Sequence, residues 1–237
     1  MIKIEDLQKS FDGHDVLKGI SFEVGKGQVF ALVGGSGGGK SVLLKHVVGL
    51  LKPDRGRVMV DGKQISGSGG NVRAFRERLG FLFQGGALFD SMNVFENVAF
   101  PLKEKSKLSK NLIREKVLSE LENVGLSGSE NRYPSQISGG MVKRAALARA
   151  LVGDPEIMLF DEPTTGLDPV TGQSILKLID SCHRRLLFTG IIVTHEIPKV
   201  LAIVDRVVML HEGVVRAEGT PSDFMGSRDP VIRAFLE

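Results

Sequence analysis

The sequence predicts an α/β fold, in which buried parallel strands alternate with helices and a helical segment is inserted. Three observations lead to this prediction. A short apolar run, Val29–Val33, is followed by six residues with five glycines and then by a helical pattern. Beyond about Phe95 the apolar residues recur at helical spacing, and runs typical of buried strands return after Pro155. We expect an α/β core with a helical insertion at about residues 96–153.

The first third of the chain is predicted to be mostly strands. Strands at 21–24 and 29–33 flank a Gly-Lys-Gly turn, and a helix follows at about 40–51, where Pro53 stops it. A further strand at 57–60 is closed by an Asp61-Gly62 turn. Residues 66–70, Ser-Gly-Ser-Gly-Gly, have the composition of a flexible loop.

The rest of the chain alternates helices and buried strands. Ile113, Val117 and Leu121 lie on one helical face, and Gly125 stands where a C-terminal glycine cap belongs. A second helix is predicted at about 141–152. Apolar runs at 157–160, 191–194 and 207–210 then indicate buried strands, separated by helices.

Composition restricts the class of protein. The chain is rich in glycine, which makes up 29 of its 237 residues, whereas proteins contain about 7 % glycine on average. The hydrophobic fraction of 42 % excludes disorder, and the lack of a three-residue glycine period excludes collagen. No apolar run reaches membrane-spanning length, the N-terminus lacks a signal-peptide stretch, and Cys182 is the one cysteine, so we expect a cytoplasmic protein. With a net charge of +3, no tryptophan and one tyrosine, we expect no nucleic-acid partner.

The glycine-rich segment has the pattern of a phosphate-binding loop, G-x-x-x-x-G-K-[ST], between a predicted buried strand and a helix. Glycines allow backbone N–H groups to turn toward phosphate oxygens, and the helix N-terminus adds partial positive charge. Lys40 would reach the β- and γ-phosphates, and Ser41 would bind Mg²⁺. The predicted nucleotide-binding residues of this loop are Gly34, Gly35, Ser36, Gly37, Gly38, Gly39, Lys40 and Ser41.

Two acidic residues, Asp161 and Glu162, end the predicted strand at 157–160. Ligands of open α/β sheets bind at the carboxyl ends of strands, where Asp161 would bind Mg²⁺ and Glu162 would act as general base on water. Taken alone, the pattern also fits a strand that ends in solvated acids. Beside a phosphate loop the catalytic interpretation is favoured. No phosphate-accepting site is evident, which favours hydrolysis, although a small-molecule kinase stays open.

A second candidate anion site precedes the helix predicted at 141–152. It consists of Ser138, Gly139 and Gly140, which supply a hydroxyl and backbone N–H groups. Taken alone, a simple helix cap explains these residues better.

Together these motifs have the order and spacing of one known family. They are residues 34–41, Gln84, 138–140, 161–162, 166–168 and His195. The whole chain therefore resembles an ABC transporter ATPase. This resemblance implies a single domain: residues 1–95 and 154–237 would form a P-loop NTPase core with an N-terminal antiparallel β subdomain. Residues 96–153 would form a helical subdomain that carries the signature motif.

The resemblance also implies individual roles. Gln84 would sense Mg²⁺ beside the transmembrane partner, and His195 would contact the γ-phosphate. On the bare sequence, His195 also fits a core histidine. Phe11 stands where the family stacks an aromatic ring on adenine, and core packing is an equal alternative. Ser138, Gly139 and Gly140 would close on the nucleotide of a second copy, giving a head-to-tail homodimer around two ATP, with Asp168 at the interface.

Met141, where the generic signature has glutamine, makes the chain similar to the ATPases of Mla/Mce-type phospholipid transport systems, as do residues 83–98 and 195–198. That resemblance implies ATP-powered phospholipid transport across the cell envelope. The partners would be an integral permease, an Mce-domain lipid-binding protein and, in some systems, a small regulatory subunit. The chain would lie peripherally on the cytoplasmic face of the inner membrane.

The sequence also fits two alternatives. The same ATPase would serve another permease, such as an amino-acid importer or an exporter, although Met141 and the segment after Gln84 speak against it. A non-transport ABC ATPase of DNA repair or translation fits less well. The stretch between Lys40 and Ser138 has no sustained heptads, and the chain has one cassette.

Overall fold

The computed structural model describes residues 1–65 and 70–236. Its strands in chain order are β1 (Ile2–Phe11), β2 (His14–Val24), β3 (Val29–Val33), β4 (Arg55–Val60), β5 (Lys63–Gln64), β6 (Leu79–Leu82), β7 (Ile157–Asp161), β8 (Thr189–Thr194), β9 (Arg206–His211) and β10 (Val214–Gly219). Its helices are α1 (Lys40–Val47), α2 (Gly70–Glu77), α3 (Val94–Lys105), α4 (Lys110–Asn123), α5 (Gly139–Leu151), α6 (Pro169–Leu186), α7 (Ile197–Val200), α8 (Pro221–Met225) and α9 (Pro230–Leu236). Short 3₁₀ turns lie at Pro134–Gln136 and Leu201–Ile203.

The chain divides into two compact units. The first consists of Met1–Arg78 together with Leu187–Glu237, and the second of Leu79–Leu186. These units do not test the predicted helical subdomain at residues 96–153, which stays a prediction.

In the first unit, neighbouring strands follow the order β10-β9-β3-β8. Strand β3 runs parallel to both β8 and β9, while β10 returns antiparallel to β9. Every residue of β3 and of β8 is buried, as expected for parallel strands that are covered on both faces. The predicted strands at 29–33, 191–194 and 207–210 are therefore confirmed.

The first unit also contains an antiparallel sheet with the strand order β2-β1-β4-β5. The predicted Asp61-Gly62 turn joins β4 to β5, and its φ angles of 48° and 75° are the positive values that a tight hairpin turn needs. The Lys18 N–H of β2 donates to the Gly213 carbonyl at 2.8 Å, which ties this sheet to the β9–β10 turn. The N-terminal antiparallel β subdomain is confirmed.

In the second unit, β6 and β7 pair in parallel, and helices α3, α4 and α5 enclose an apolar core. The predicted glycine cap of α4 is confirmed, because Gly125 has a φ of 71°. The buried members of this core are Val94, Val98, Ala99, Leu102, Ile113, Val117, Leu121, Val124, Leu126, Ala145, Ala148 and Val152.

Several predicted boundaries were wrong. Helix α1 ends at Val47 instead of about 51, because Gly49 takes a left-handed φ of 69° and the Leu50 N–H turns back to the Lys45 carbonyl at 2.8 Å. Gly70, assigned to a flexible loop, begins α2, and residues 66–69 of that loop lie outside the described residues.

Within residues 1–65 and 70–236, none of the helices combines the length and the apolar character needed to cross a bilayer.

Candidate functional site

The predicted site residues are divided between the two units. The first unit contains Phe11, the loop at 34–41 and His195, and the second contains Gln84, residues 138–140, Asp161 and Glu162.

The glycine-rich loop joins β3 to α1 in a conformation that needs glycine. Gly34, Gly37 and Gly39 have φ angles of 143°, 77° and 90°. A Cβ atom on Gly34 would lie 2.2 Å from the Leu210 carbonyl oxygen, and one on Gly39 would lie 2.7 Å from Leu17 Cδ2. Dihedral preference thus disfavours larger residues at both positions, and at Gly34 the Leu210 backbone also leaves no room for one.

The ammonium group of Lys40 lies inside this loop. Its Nζ donates to the Gly34 carbonyl at 2.7 Å and to the Gly35 carbonyl at 2.9 Å, and the residue is only 7 % exposed. Lys40 is also the first residue of α1, whose N-cap is Gly39. Because glycine has no side chain, none competes with an anion for the N–H groups of the first turn. A buried cation and a helix N-terminus therefore meet in one loop, with the exposed Ser41 beside them.

His195 reaches the same edge of the sheet as the loop. Strands β3 and β8 are parallel neighbours with Val33 opposite Thr194, and Gly34 and His195 each follow directly. His195 is exposed, which contradicts the alternative of a core histidine. Parallel strands bring their carboxyl ends together, where ligands of α/β sheets bind.

Phe11, at the end of β1, is 40 % exposed, and the Lys9 ammonium lies 5.2 Å from its ring centroid. The ring is therefore outside the buried core, which contradicts the alternative of core packing. Its contact with adenine stays a prediction.

In the second unit, Asp161 ends β7 and Glu162 follows in a strained backbone conformation. The φ of Glu162 is 48°, a left-handed value that costs a non-glycine residue on the order of 1–3 kcal/mol and is frequent at functional sites. The Thr165 hydroxyl donates to Glu162 Oε2 at 3.1 Å, and the Thr165 N–H donates to the Glu162 carbonyl at 3.2 Å. The turn after β7 thus fixes the direction of the Glu162 carboxylate.

Ser138 is the N-cap of α5, which begins at Gly139 rather than at the predicted Met141. Its hydroxyl accepts a hydrogen bond from the Met141 N–H at 3.3 Å. A Cβ atom on Gly140 would lie 2.8 Å from Thr171 Cγ2, so a larger residue there would displace the Thr171 side chain. Ser138 and Gly139 are exposed, so both a helix cap and an anion site fit the geometry.

Asp168 caps helix α6. Its Oδ1 accepts from the Val170 N–H at 3.1 Å and from the Thr171 N–H at 3.0 Å. Hydrogen bonds from the Thr171 hydroxyl and N–H hold the pKa of Asp168 below its ordinary value. The carboxylate therefore stays charged at the start of a helix, where a negative charge is favourable.

Gln84 lies in the loop after β6, and three polar residues that the sequence did not reveal hold this loop. Lys143 Nζ donates to the Gln84 carbonyl. Arg149 donates to the carbonyls of Gly86 at 2.7 Å and Ala87 at 2.6 Å. Asn97 is fully buried on α3. Sequence periodicity shows the helices, but not which of their polar residues turn inward.

Asn97 fixes the far end of the same loop. Its Oδ1 accepts from the Phe89 N–H at 2.8 Å, and its Nδ2 donates to the carbonyls of Phe89 and Met92, each at 3.0 Å. A buried amide with this many partners orders the loop, because leaving any of these groups unsatisfied would be costly.

The residues predicted to bind Mg²⁺ have suitable donor chemistry. They are the Ser41 hydroxyl, the Gln84 side-chain amide and the Asp161 carboxylate, all oxygen ligands. Mg²⁺ prefers oxygen and takes few protein ligands when phosphates and water supply the rest. Among the described residues no group of three His, Cys, Asp or Glu side chains is placed to hold a metal, and a nucleotide-bound Mg²⁺ needs none.

A glycine loop around a buried lysine, between a parallel strand and a helix, defines a P-loop nucleotide-binding protein. Comparison with known proteins gives the family. The ABC transporter family matches residues 17–165. A dimeric ATP-binding cassette in a post-hydrolysis state, bound to ADP and Pi, superposes with a TM-score of 0.84 at 30 % identity over 93 % of this chain and 99 % of that chain.

Two relatives match nearly all of the chain. The intermembrane phospholipid transport system ATP-binding protein MlaF of Haemophilus influenzae is 41 % identical and covers 100 % of this chain and 90 % of its own length. A protein of Mycobacterium leprae, named a probable ribonucleotide transport ATP-binding protein, is 42 % identical and covers 99 % of this chain and 68 % of its own length. The chain belongs to the ABC transporter family and carries its ATPase domain.

Proposed function

We propose that this chain hydrolyses ATP with the residues described above, and that the reaction powers phospholipid transport across the cell envelope. The observation that carries the proposal is the glycine loop that surrounds the Lys40 ammonium at the start of α1. In this loop the Lys40 cation and the backbone N–H groups of residues 34–41 bind the β- and γ-phosphates. Outside the loop, Phe11 stacks on the adenine.

Glu162 acts as the general base. It accepts a proton from water while the water oxygen bonds to the γ-phosphorus and the bond to the β–γ bridging oxygen breaks, which gives ADP and inorganic phosphate. The Thr165 hydrogen bond supports this role, because it orients the carboxylate before the reaction. His195, at the carboxyl end of β8, binds the γ-phosphate.

Ser41, Gln84 and Asp161 would hold the Mg²⁺ that accompanies the nucleotide. This ion would neutralise part of the negative charge of the phosphates. The oxygen donors of all three side chains support the assignment.

We further propose a head-to-tail homodimer around two ATP. Ser138, Gly139 and Gly140 of one copy close on the nucleotide that the loop of the other copy holds. Exposure of Ser138 and Gly139 supports this arrangement, as does the dimer of the similar cassette bound to ADP and Pi. A ligand that binds only the closed pair would shift the population toward it, and hydrolysis would release it.

The proposed partner in the membrane is an integral permease, which works with an Mce-domain lipid-binding protein and a small regulatory subunit. The chain would then lie peripherally on the cytoplasmic face of the inner membrane. The permease would dock beside Gln84, where Ala87 is exposed and Phe89 is 42 % exposed, while Leu88 packs on the helical core. The phospholipid assignment is supported by the name of the Haemophilus influenzae relative.

Reconstitution with the co-purified permease tests the proposal. Proteoliposomes with a fluorescent phospholipid should move the label only with ATP and Mg²⁺, and a Glu162→Gln preparation should move none. A parallel preparation containing a radiolabelled ribonucleotide addresses the second candidate function, which rests on the name of the Mycobacterium leprae relative. ATP-driven movement of the nucleotide alone would overturn the lipid assignment and leave the ATPase assignment standing.

A further inference from the structure

Two cations of helix α5, Lys143 and Arg149, bind three backbone carbonyls of the loop after β6. The Lys143 ammonium donates to the Gln84 carbonyl, and the Arg149 guanidinium donates to the carbonyls of Gly86 at 2.7 Å and Ala87 at 2.6 Å. The Gly86 backbone also lies close to this helix, since a Cβ atom there would be 3.1 Å from Val142 Cγ1. Helix α5 and residues 84–87 are thus held as one structural element.

The two cations differ in their surroundings. Lys143 is only 5 % exposed, and burial lowers its pKa overall. The carboxylates of Asp161 and Glu162 partly offset this effect, because they favour the charged ammonium. Burial also lowers the pKa of Arg149, with no carboxylate contributing. Strands β6 and β7 are parallel neighbours with Leu82 opposite Phe160, so the chain after each strand leaves the same edge of the sheet. Lys143, bound to the Gln84 carbonyl, therefore lies near the acidic end of β7, whereas Arg149 binds the loop farther along.

We propose that Lys143 is a positioning residue for hydrolysis: its ammonium holds the Gln84 backbone in a fixed place beside Asp161 and Glu162. This inference rests on the proposed function, since it assumes that those three residues work together. A cationic donor suits the task, because hydrogen bonds from a charged group to a carbonyl are stronger than neutral ones. The same cation reduces the repulsion between two adjacent carboxylates.

The consequence is an effect on the rate rather than on nucleotide affinity. In the proposed function the phosphates are bound by the loop at 34–41, which is in the first unit, whereas Lys143 is in the second. Loss of Lys143 should therefore leave the KM for ATP within about twofold of the original value. It should lower kcat by about ten- to a hundredfold, the range that a misplaced reacting group produces.

The experiment compares Lys143→Met, Lys143→Arg and Arg149→Met in the full chain. Steady-state kinetics give kcat and KM, and hydrogen–deuterium exchange of the nucleotide-free protein reports on the amides of residues 84–87. We expect faster exchange in both methionine variants, because each loses a bond to the loop. The fall in kcat should be confined to Lys143→Met, and Lys143→Arg should restore most of it, since arginine keeps both charge and donors.

Two results would overturn the inference. One is unchanged exchange and kcat in Lys143→Met, and the other is an equal fall in kcat in Arg149→Met, which would make loop anchoring alone responsible. If Lys143→Met does not fold, Lys143→Gln replaces it, because glutamine donates a hydrogen bond but carries no charge. A kcat like that of the unaltered chain would then refute the need for a cation.

Glu162→Gln, measured in the same assays, separates this inference from the proposed function. If Glu162→Gln is inactive while all Lys143 variants are fully active, only the role of Lys143 fails. If Glu162→Gln keeps full turnover, the proposed catalytic site itself fails.

Discussion

Alanine in place of Gly34 should destabilise the protein more than alanine in place of Gly37, although both lie in the same loop. Both glycines have positive φ, 143° and 77°, so alanine is strained at either position. The positions differ in space. A Cβ on Gly34 would lie 2.2 Å from the Leu210 carbonyl oxygen, whereas a Cβ on Gly37 would meet nothing within 4 Å.

The magnitude follows from these two terms. Backbone strain costs about 1–3 kcal/mol in each variant. In Gly34→Ala the overlap involves the backbone of β9, which cannot rotate away as a side chain can, and such overpacking adds about 1–3 kcal/mol. The difference between the variants is therefore about 1–3 kcal/mol. For a chain of this size, each kcal/mol of lost stability lowers the melting temperature by about 2–4 °C. The melting temperature of Gly34→Ala should therefore lie roughly 2–12 °C below that of Gly37→Ala.

Thermal unfolding of nucleotide-free protein, followed by circular dichroism, measures this difference. Omitting nucleotide matters, because ATP binding would add stability that depends on the affinity of each variant. Equal melting temperatures for the two alanine variants would refute the argument, since they would show that the Leu210 carbonyl does not limit the space at Gly34.

Three further outcomes are expected. Glu162→Gln should keep its affinity for ATP but hydrolyse it about 10²-fold more slowly or worse, so that an ATP-bound dimer accumulates in size-exclusion chromatography. Undiminished phosphate release by this variant would exclude Glu162 as the base. Lys40→Ala should weaken ATP binding in calorimetry, because the cation inside the loop is lost, and unchanged affinity would contradict its phosphate role. His46 is 1 % exposed, and burial lowers its pKa below the ordinary 6.5. As the pH falls, the unfolded state therefore binds a proton at this histidine at a higher pH than the folded state does. The free energy of unfolding should therefore fall as the pH drops below about 6.5, and denaturant titrations of His46→Gln should show a weaker pH dependence.

Local patterns sufficed to predict the fold class. Continuous apolar runs are typical of strands that are buried on both faces of a covered parallel sheet, and they predicted β3, β7, β8 and β9. Helix ends were less predictable, because they depend on backbone conformation at single residues. The left-handed φ of Gly49 ends α1 four residues before the predicted end, although Pro53 looked like the stronger stop signal.

The candidate site was predictable where its chemistry depends on the order of residues in the chain. The loop at 34–41 and the acids after β7 are of this kind, since backbone geometry and strand ends follow directly from the sequence. The inward position of Asn97 was not predictable, because only the packing of α3 determines which helical amide is buried. The same holds for the two cations of α5 that bind the loop after β6.

The sequence by itself therefore determined the class of protein, the phosphate loop and the likeness to ABC transporter ATPases, because these depend on residue types at fixed spacing. Only the tertiary structure decided which residues hold the functional loops in place. Lys143 is the clearest example: in the sequence it is one lysine on a helix, and in the structure it is buried against the Gln84 carbonyl near Asp161 and Glu162. The reason is physical, since the environment of a charged group depends on what folds around it, and residues 84, 143 and 161 are brought together only by packing.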